Sequence, residues 1–203
     1  MDILGINGSP RIGGNTDVLL DRVLEGARKA GAAAEKITLS NLTFSPCLEC
    51  ETPKGREVPR ECEELKNNGC CVLEDDMRLI YKKIKDSDAL IVASPIFFGS
   101  VSAQTKMMID RFQCAWRTKY ILKKDLFRKR KKGAFISVSA SDRKDFFDNA
   151  KMIIKNLFAT INVEYKEELF CPGLEKKGDI IKYGDFLKKA YKLGQKIAEA
   201  EAL

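Results

Sequence analysis

Five cysteines crowd a short stretch of this 203-residue chain, which contains no histidine. Cys47, Cys50, Cys62, Cys70 and Cys71 fall within 25 residues. Such thiols can form a disulfide, bind zinc, act as a redox pair, ligate an iron–sulfur cluster or serve no chemistry. Soft thiolates select zinc or iron–sulfur over hard cations. Zinc sites commonly use two short cysteine pairs or add histidine, whereas cluster ligands tolerate irregular spacing. The pattern favours an iron–sulfur cluster and leaves zinc, no metal and thiol redox chemistry open.

The expected cellular compartment determines whether these cysteines are reduced or form disulfides. The start, MDILGINGSPR, lacks the features of a signal peptide, and no apolar run approaches the roughly 20 residues that span a bilayer. We therefore expect a cytoplasmic protein with no membrane partner, in which thiols stay reduced. The odd total of seven cysteines weakens the disulfide interpretation further. Cys114 and Cys171 stand apart, and we expect both to be small buried hydrophobic residues.

A second chemical signal is GSPRIGGNTD at residues 8–17, which follows a short apolar run. Small residues here allow close backbone approach, and Ser9, Arg11, Asn15 and Thr16 can bind an anion. The segment leads into a predicted helix, whose N-terminal N–H groups favour negative charge. The pattern is neither GxGxxG nor a Walker loop, and a turn with Asn15 or Thr16 as helix cap is the alternative. We expect the segment to bind a phosphate.

The third signal is SPIFFGSVSAQ at residues 94–104. Pro95 restricts the chain, Phe97 and Phe98 offer flat apolar surfaces, and Gly99 allows a backbone approach that a side chain would block. Backbone N–H groups here can bond the edge of a heterocycle. Two aromatic residues after a strand are also common in a core, so this segment alone does not decide between the two interpretations.

The net charge of +7 is concentrated in one segment. Residues 117–132, RTKYILKKDLFRKRKK, contain nine Lys or Arg and one Asp, so their sum is +8 and the rest of the chain sums to −1. Such a basic segment can bind nucleic acid, an acidic protein or a phosphorylated ligand, or can be a solvated linker. Because the chain has no nucleic-acid-binding motif, nucleic acid is the least favoured of these partners.

Alternating strands and helices must position these segments. Short apolar runs predict strands at 3–6, 36–39, 89–93, 134–138 and 164–170. Apolar residues at helical spacing predict helices at 17–31, 75–88, 102–112 and 146–161, and a last helix that carries Phe186, Ala190, Leu193 and Ile197. The alternation indicates one α/β domain over residues 1–203 with a doubly wound parallel sheet. Residues 45–72 and 113–132 are predicted as long irregular loops. Ligands of such sheets bind beyond the carboxyl ends of the strands, where the segments at 8–17 and 94–104 begin.

GSPRIGGNT together with SPIFFGSVSAQTKMMIDRF resembles the NAD(P)H-dependent FMN reductase family of flavodoxin-like proteins, over nearly the whole chain. The resemblance implies a five-stranded sheet of order 2-1-3-4-5 and a bound FMN. It assigns the FMN phosphate to Ser9, Arg11, Asn15 and Thr16. It assigns the isoalloxazine ring to Pro95, Ile96, Phe97, Phe98 and Gly99, with Ser100 as a further candidate. A third flavin loop then falls in SVSASD, at Ser139 and Ala140.

One branch of this superfamily, the iron–sulfur flavoproteins, has a C-x2-C-x2-C motif and a further cysteine before a DDM-like helix start. PCLEC and CVLEDDM resemble that motif, but Pro53 stands at its third position and an insertion brings Cys62 and Cys70. The implied ligands of a [4Fe–4S] cluster are Cys47, Cys50, Cys62 and Cys71. Cys70 is a neighbour or a substitute for one of them, since adjacent cysteines normally point in divergent directions.

The resemblance implies an FMN-dependent redox protein that carries a cluster and needs no catalytic acid or base. Its electrons would come from a ferredoxin-like acidic donor, docked on the basic segment, or from NAD(P)H, and would pass to a small-molecule acceptor. A homodimer or homotetramer is implied as well. The alternative is an NAD(P)H-dependent FMN or quinone reductase without a cluster, whose cysteines are structural or zinc-bound. A redox-responsive protein that binds nucleic acid through the basic segment is a third possibility, of another class.

Overall fold

The computed structural model describes residues 1–49 and 71–199. The strands of this part are β1 (Asp2–Asn7), β2 (Ala33–Thr38), β3 (Ala89–Phe97), β4 (Ser100–Val101), β5 (Lys131–Val138) and β6 (Val163–Cys171). Its α-helices are α1 (Asn15–Lys29), α2 (Met77–Asp86), α3 (Ala103–Asp110), α4 (Gln113–Tyr120), α5 (Lys144–Thr160) and α6 (Gly184–Ala198). Short 3-10 helices lie at Leu39–Asn41 and Asp179–Lys182. Within the described ranges, no helix has the length and apolar character needed to cross a bilayer.

The sheet has the parallel order β2-β1-β3-β5-β6, and the two-residue β4 pairs antiparallel with the end of β3. The α/β class with a parallel sheet is therefore confirmed. The predicted count of five strands needs a correction, because the described residues form six. The sixth strand arises because Phe98 and Gly99 both adopt positive φ, at 50° and 72°, and turn the chain back on β3. A two-residue turn with positive φ at both positions is the tight hairpin connection that matches strand twist.

Two hydrophobic layers cover the sheet because successive side chains of each strand point to opposite faces. In β3, Leu90 and Val92 join one layer, with α2 and α5, while Ala89 and Ile91 join the other, with α1 and α6. Every residue of 89–94 is buried, as the uninterrupted apolar run predicts. The layers fix the strands, and the sheet in turn positions the loops at its carboxyl edge.

Residues 113–132 are more regular than the sequence analysis predicts. They contain α4 and the first two residues of β5, so the irregular connection is limited to residues 121–130. Ala115 and Thr118 are buried at helical spacing, a weak pattern that the surrounding basic and aromatic residues obscure. Of the predicted cysteine-rich loop at 45–72, residues 50–70 lie outside the described residues.

Candidate functional site

The phosphate loop, defined here as residues 8–14, joins the end of β1 to the start of α1. The Asn7 side chain accepts a hydrogen bond from Ser9 N (3.0 Å) and donates one to Asp17 Oδ1 (3.0 Å). Asp17, in the first turn of α1, also accepts a hydrogen bond from Gly13 N (2.8 Å). Strand, loop and helix are thus tied together at three points, which holds the loop in one conformation.

The N-terminus of α1 fits an anion better than it fits a side-chain cap. The N-cap residue is Gly14, and no side chain caps the helix there. Asn15, considered as a cap, instead donates to Lys176 O (2.9 Å) and accepts from Ile180 N (3.1 Å). Its amide therefore ties the phosphate loop to the 3-10 helix that follows β6. Backbone N–H groups at a helix N-terminus attract a phosphate when no side-chain oxygen takes that place.

The predicted phosphate ligands lie in this loop and in the first turn of α1. Ser9 and Thr16 are buried, whereas Arg11 is exposed and can move toward a ligand. The sequence analysis missed a second cation. Lys177 Nζ lies 3.9 Å from the point where a Cβ on Gly13 would stand. No local pattern reveals Lys177, because only the packing of the segment after β6 brings it to the loop.

A partly buried ion pair supports the loop through Asp17, and the sequence analysis missed it too. Lys36 Nζ, on β2, contacts Asp17 Oδ1 at 2.8 Å and Asp21 Oδ1 at 2.6 Å. Burial acts to lower the pKa of Lys36, but its hydrogen bonds to the two aspartates outweigh burial and raise it. Lys36 thus remains a cation, and its charge compensates the Asp17 carboxylate that holds the loop.

The flavin hairpin, defined here as residues 95–101, follows β3. Phe97 is 41% exposed and Phe98 is fully exposed, so both can present an aromatic face to a ligand. The C=O of Gly99 accepts a hydrogen bond from Asn149 Nδ2 (2.7 Å), and a Cβ on Gly99 would lie 3.1 Å from the Phe146 ring. An exposed phenylalanine with positive φ is uncommon, and such local strain occurs more often at ligand sites than elsewhere.

Predicted ring-binding residues belong to this hairpin. Ile96 pairs with Val101 and Phe97 with Ser100, while Pro95 still lies in register with β5. The segment at 94–104, expected as a loop, is therefore mostly strand. Its aromatic residues are presented by a rigid turn.

Hydrogen bonds connect the phosphate loop with the residues on either side of the flavin hairpin. Gly8 N donates to Ala93 O (2.7 Å), and Ser102 Oγ donates to Gly8 O (2.6 Å). Ser102 N also donates to Ser94 Oγ (2.9 Å). A Cβ on Gly8 would lie 1.8 Å from Thr105 Oγ1, so only glycine fits this junction. The two loops form one preorganised surface at the switch point of the sheet.

The third predicted flavin loop follows β5. Ser139 is buried: its N–H donates to Cys171 O (3.1 Å) and its C=O accepts from Leu174 N (2.9 Å). Ser139 Oγ accepts a hydrogen bond from Ser141 N (3.1 Å). Ala140 beside it is exposed at the same edge. The structure therefore brings the three predicted loops to one edge of the sheet.

The cysteine segment, residues 47–71, leaves from this same carboxyl edge, after β2, and its two ends are joined. Thr43 N donates to Asp76 Oδ2 (2.7 Å) and Asp76 N donates back to Thr43 O (3.2 Å). Ser45 N donates to Asp75 Oδ2 (3.1 Å). These bonds join residues 43–45, before the segment, to residues 75–76, after it.

Two of the predicted cluster ligands can be placed. Cys47 Sγ accepts a hydrogen bond from Glu49 N (3.4 Å), and Cys71 Sγ accepts one from Arg111 (3.2 Å). Cys50 and Cys62 lie outside the described residues, as does Cys70. In the parts of the chain that the structure describes, no three metal-binding side chains converge.

The two remaining cysteines behave differently from each other. Cys171 is fully buried as predicted, and burial raises the pKa of its thiol to about 12. Cys114 is half-buried and its Sγ contacts Arg111 O (3.4 Å), so the expectation of a buried hydrophobic residue is wrong for Cys114. The polar neighbourhood of Arg111 and Tyr81 holds this thiol, rather than a hydrophobic core.

The basic segment, residues 117–132, ends at the amino-terminal edge of the sheet, where β5 begins. There Lys129 pairs with Asp88 and Arg130 with Glu164 (2.7 Å). Lys131 is 2% exposed and donates to Lys129 O (3.1 Å), and burial with the nearby Lys129 charge lowers its pKa. Lys129 and Arg130 are therefore paired with carboxylates, and Lys131 is buried.

The comparisons with known proteins identify the family of this chain. Residues 1–162 match the family model of the NADPH-dependent FMN reductases. The chain belongs to this family. An iron–sulfur flavoprotein of Methanocaldococcus jannaschii is 39% identical over 111 residues, which are 55% of this chain and 51% of that protein. Another, from Methanosarcina thermophila, is 33% identical over 141 residues, 70% of this chain and 64% of that protein.

This FMN reductase family member spans about half to two thirds of the length of those relatives. Among solved structures, a flavone reductase matches with a TM-score of 0.74 at 22% identity, over 98% of this chain and 62% of that one. The likeness shows a shared flavodoxin-like fold. The predicted family is confirmed, and so is the α/β flavodoxin-like class of the fold.

Proposed function

We propose that this protein is an FMN-dependent oxidoreductase that binds FMN at the carboxyl edge of its sheet. The observation that carries the proposal is the hydrogen bonding of Gly8, in the phosphate loop, to Ala93 and Ser102, which stand on either side of the flavin hairpin. One loop suits a phosphate and the other a flat heterocycle, and FMN contains both. FMN supplies one- and two-electron chemistry when bound.

The residues of this edge have separate roles in binding the phosphate. The N-terminus of α1 and the Arg11 cation bind the phosphate, with hydroxyls from Ser9 and Thr16. Asn15 acts by fixing the segment that brings Lys177 to the loop. A terminal phosphate suits this site better than the internal pyrophosphate of FAD, because helix N–H groups, the Arg11 cation and hydroxyls favour a compact, doubly charged anion.

The ring is proposed to lie against the hairpin and the third loop. Phe97 and Phe98 supply apolar surface, and the backbone of residues 95–99 supplies hydrogen bonds to the ring edge. Ser139 and Ala140 border the opposite side. Ser139 is fixed by three hydrogen bonds, which suits a position that must not move when a ligand binds.

The second proposed cofactor is a [4Fe–4S] cluster held by Cys47, Cys50, Cys62 and Cys71. Its support comes from three sources: the soft thiolates, the joined ends of the cysteine segment, and the names of two relatives. A cluster would exchange single electrons next to the flavin edge. We propose a ferredoxin-like protein or NAD(P)H as donor, and a small molecule as acceptor.

An assembly of identical copies is proposed as well. Trp116, Tyr120 and Ile121 are between 41% and 57% exposed at the end of α4, which supports a contact between subunits. Light scattering coupled to size-exclusion chromatography should report a dimer or tetramer. A monomer at micromolar concentration would contradict this part of the proposal.

The alternative function is an NAD(P)H-dependent FMN or quinone reductase without a cluster. The family match over residues 1–162 favours it, because that family is named for reduction with NADPH. Purification without oxygen, followed by analysis of flavin, iron, sulfide and zinc, distinguishes the two. Stoichiometric iron and sulfide with broad visible absorption beyond that of flavin supports the cluster, whereas zinc without sulfide supports the alternative.

A further inference from the structure

Residues 172–182, called here the bridging segment, follow β6 and contact both the third loop and the start of α1. Leu174 N donates to Ser139 O (2.9 Å), which ties the segment to the third loop. Lys176 O accepts a hydrogen bond from Asn15 Nδ2 (2.9 Å), which ties the segment to the first turn of α1. The bridging segment therefore connects the helix that follows the phosphate loop with the loop proposed to border the flavin ring.

A turn within the bridging segment is fixed by local contacts. Lys176 N donates to Asp179 Oδ2 (2.9 Å). Gly178 has a φ of 81°, which glycine adopts without strain. Ile180, at the end of the turn, is fully buried. Lys177 lies in this turn and is exposed, so the packing of the turn sets where its side chain can reach.

The side chain of Lys177 lies against the phosphate loop. Its Cε and Nζ are 3.7 Å and 3.9 Å from the point where a Cβ on Gly13 would stand. Asp179, the carboxylate of the same turn, pairs with Lys182 (2.8 Å) instead. With the residues that the structure describes, Lys177 forms no ion pair and no side-chain hydrogen bond. Its ammonium group is therefore available to a ligand of the loop.

The charge of a phosphate group exceeds what one cation can balance. A phosphate monoester carries about −1.5 to −2 charges at pH 7. Of the residues predicted to bind the phosphate, only Arg11 is a cation. Lys36 is already paired with the carboxylates of Asp17 (2.8 Å) and Asp21 (2.6 Å). A second cation at the loop is therefore favourable, and Lys177 stands where it can supply that charge.

We propose that Lys177 is a further phosphate-binding residue and that the bridging segment is a fourth part of the FMN site. This role rests on the proposed function, in which the phosphate of FMN lies in the phosphate loop. A lysine ammonium binds phosphate as a flexible point charge. The family match covers residues 1–162, so the bridging segment lies outside the part of the chain by which the family is recognised.

The test is a titration of flavin-free protein with FMN and with riboflavin, followed by quenching of flavin fluorescence. Lys177→Ala should weaken FMN binding by roughly tenfold, because it removes a charge-assisted contact. Riboflavin binding should not change, because riboflavin has no phosphate. Lys177→Arg keeps the charge and should keep most of the FMN affinity. The loss in Lys177→Ala should shrink in about 0.5 M salt, which screens an exposed cation.

Lys176→Ala is the matched control. It removes the neighbouring exposed ammonium group but keeps the backbone bonds to Asn15 and Asp179, so both affinities should stay at the wild-type value. A double-mutant cycle tests the bridging segment itself. Since Asn15→Ala releases the turn that carries Lys177, Lys177→Ala should cost less FMN affinity in that variant than in wild type. Equal costs in both backgrounds would overturn the role of the bridging segment.

The outcomes separate the role of Lys177 from FMN binding as such. Wild-type protein that binds neither flavin, or binds both equally, overturns the proposed phosphate site and the role of Lys177 with it. If wild type prefers FMN, an unchanged FMN affinity in Lys177→Ala overturns the role of Lys177 alone. An equal loss of both flavins in Lys177→Ala, or an equal loss of FMN in Lys176→Ala, does the same. Circular dichroism checks folding, and Lys177→Gln allows the same comparison if Lys177→Ala does not fold.

Discussion

Polar residues have different roles at the two edges of the sheet. At the carboxyl edge, Asn7 and Asp17 hold the phosphate loop through the backbone of Ser9 and Gly13, and an exposed Arg11 remains available. At the amino-terminal edge, cations are satisfied within the chain. Lys129 and Arg130 pair with carboxylates, and the Lys132 ammonium donates to Glu199 O.

The difference shows that local charge does not by itself locate a binding site. The basic segment has a local sum of +8 in the sequence, yet Lys129 and Arg130 are paired with carboxylates of the same chain. The phosphate loop has few charges, but its backbone is preorganised at the switch point. The segment with the cysteines leaves from the same carboxyl edge, so both proposed cofactors would lie there.

The largest expected effect comes from the cysteines. Single changes to serine at Cys47, Cys50, Cys62 and Cys71 should each remove most of the bound iron, because each removes one of four thiolates. Cys70→Ser should keep the cluster, and all five variants should keep FMN. Iron, sulfide and flavin analysis after anaerobic purification measures this. Retention of iron in Cys62→Ser with its loss in Cys70→Ser would show that the third ligand is wrongly assigned.

The second prediction compares the two edges directly. Arg11→Ala should weaken FMN binding by about 1.5–3 kcal/mol, since it removes a charge-assisted contact with the phosphate. That loss corresponds to roughly 10- to 150-fold in affinity. Arg130→Ala, at the amino-terminal edge, should leave FMN affinity unchanged. Equal effects in a fluorescence titration would contradict the assignment of the phosphate to the carboxyl edge.

The third prediction concerns the ion pair below the loop. Lys36→Met should lower the free energy of unfolding by about 1–3 kcal/mol, because it leaves Asp17 without its cation. Lys83→Met, which removes the exposed pair with Glu35 on the same strand, should cost less than about 1 kcal/mol. Urea denaturation measures both. A cost for Lys83→Met as large as that for Lys36→Met would argue against this support of the loop.

Stability at alkaline pH tests whether the ion pair of Lys36 is stabilising. The pKa of Lys36 is raised above its ordinary value of 10.5. Its contribution to stability is therefore complete below that value and is lost as the pH rises through the raised pKa. The stability difference between wild type and Lys36→Met should shrink in that range. A difference that grows instead would mean that the interaction has the opposite sign.

The smallest expected effect is on docking of an acidic donor. Residues 129–132 already contact other groups of the chain. Docking of a ferredoxin-like donor should therefore depend on the exposed Lys123, Lys124 and Arg128. Changing these three to glutamine should slow association by on the order of tenfold at low salt, with little effect at high salt. Lys129→Gln with Arg130→Gln should change it less. Association rates that do not depend on salt would show that the basic segment does not dock the donor.

The sequence predicts what depends on local pattern and misses what depends on packing. The buried run in β3 and the helical spacing of Leu20, Val23 and Leu24 identify the sheet and α1. The phosphate loop is recognisable because small residues, a hydroxyl and a helix start are adjacent in the chain. The β4 hairpin was missed because Phe98 has no preference for positive φ, so only its pairing partners impose that turn.

The residues that support the site are further apart in the chain. Lys36 reaches Asp17 from the neighbouring strand, and Arg111 reaches Cys71 across 40 positions. Lys177 approaches the phosphate loop only after β6 is in place. Each looks like an ordinary surface charge in the sequence. Their pairing is a consequence of the tertiary structure, which a pattern over a few residues does not contain.

The central claim is that the carboxyl edge binds FMN through its phosphate and ring together. The most direct measurement is a titration of flavin-free wild-type protein with FMN and with riboflavin, followed by quenching of flavin fluorescence. FMN should quench and should bind at least about tenfold more tightly than riboflavin, because only FMN carries the charge-assisted contacts. Equal affinity for the two flavins, or no quenching by either, would contradict the account.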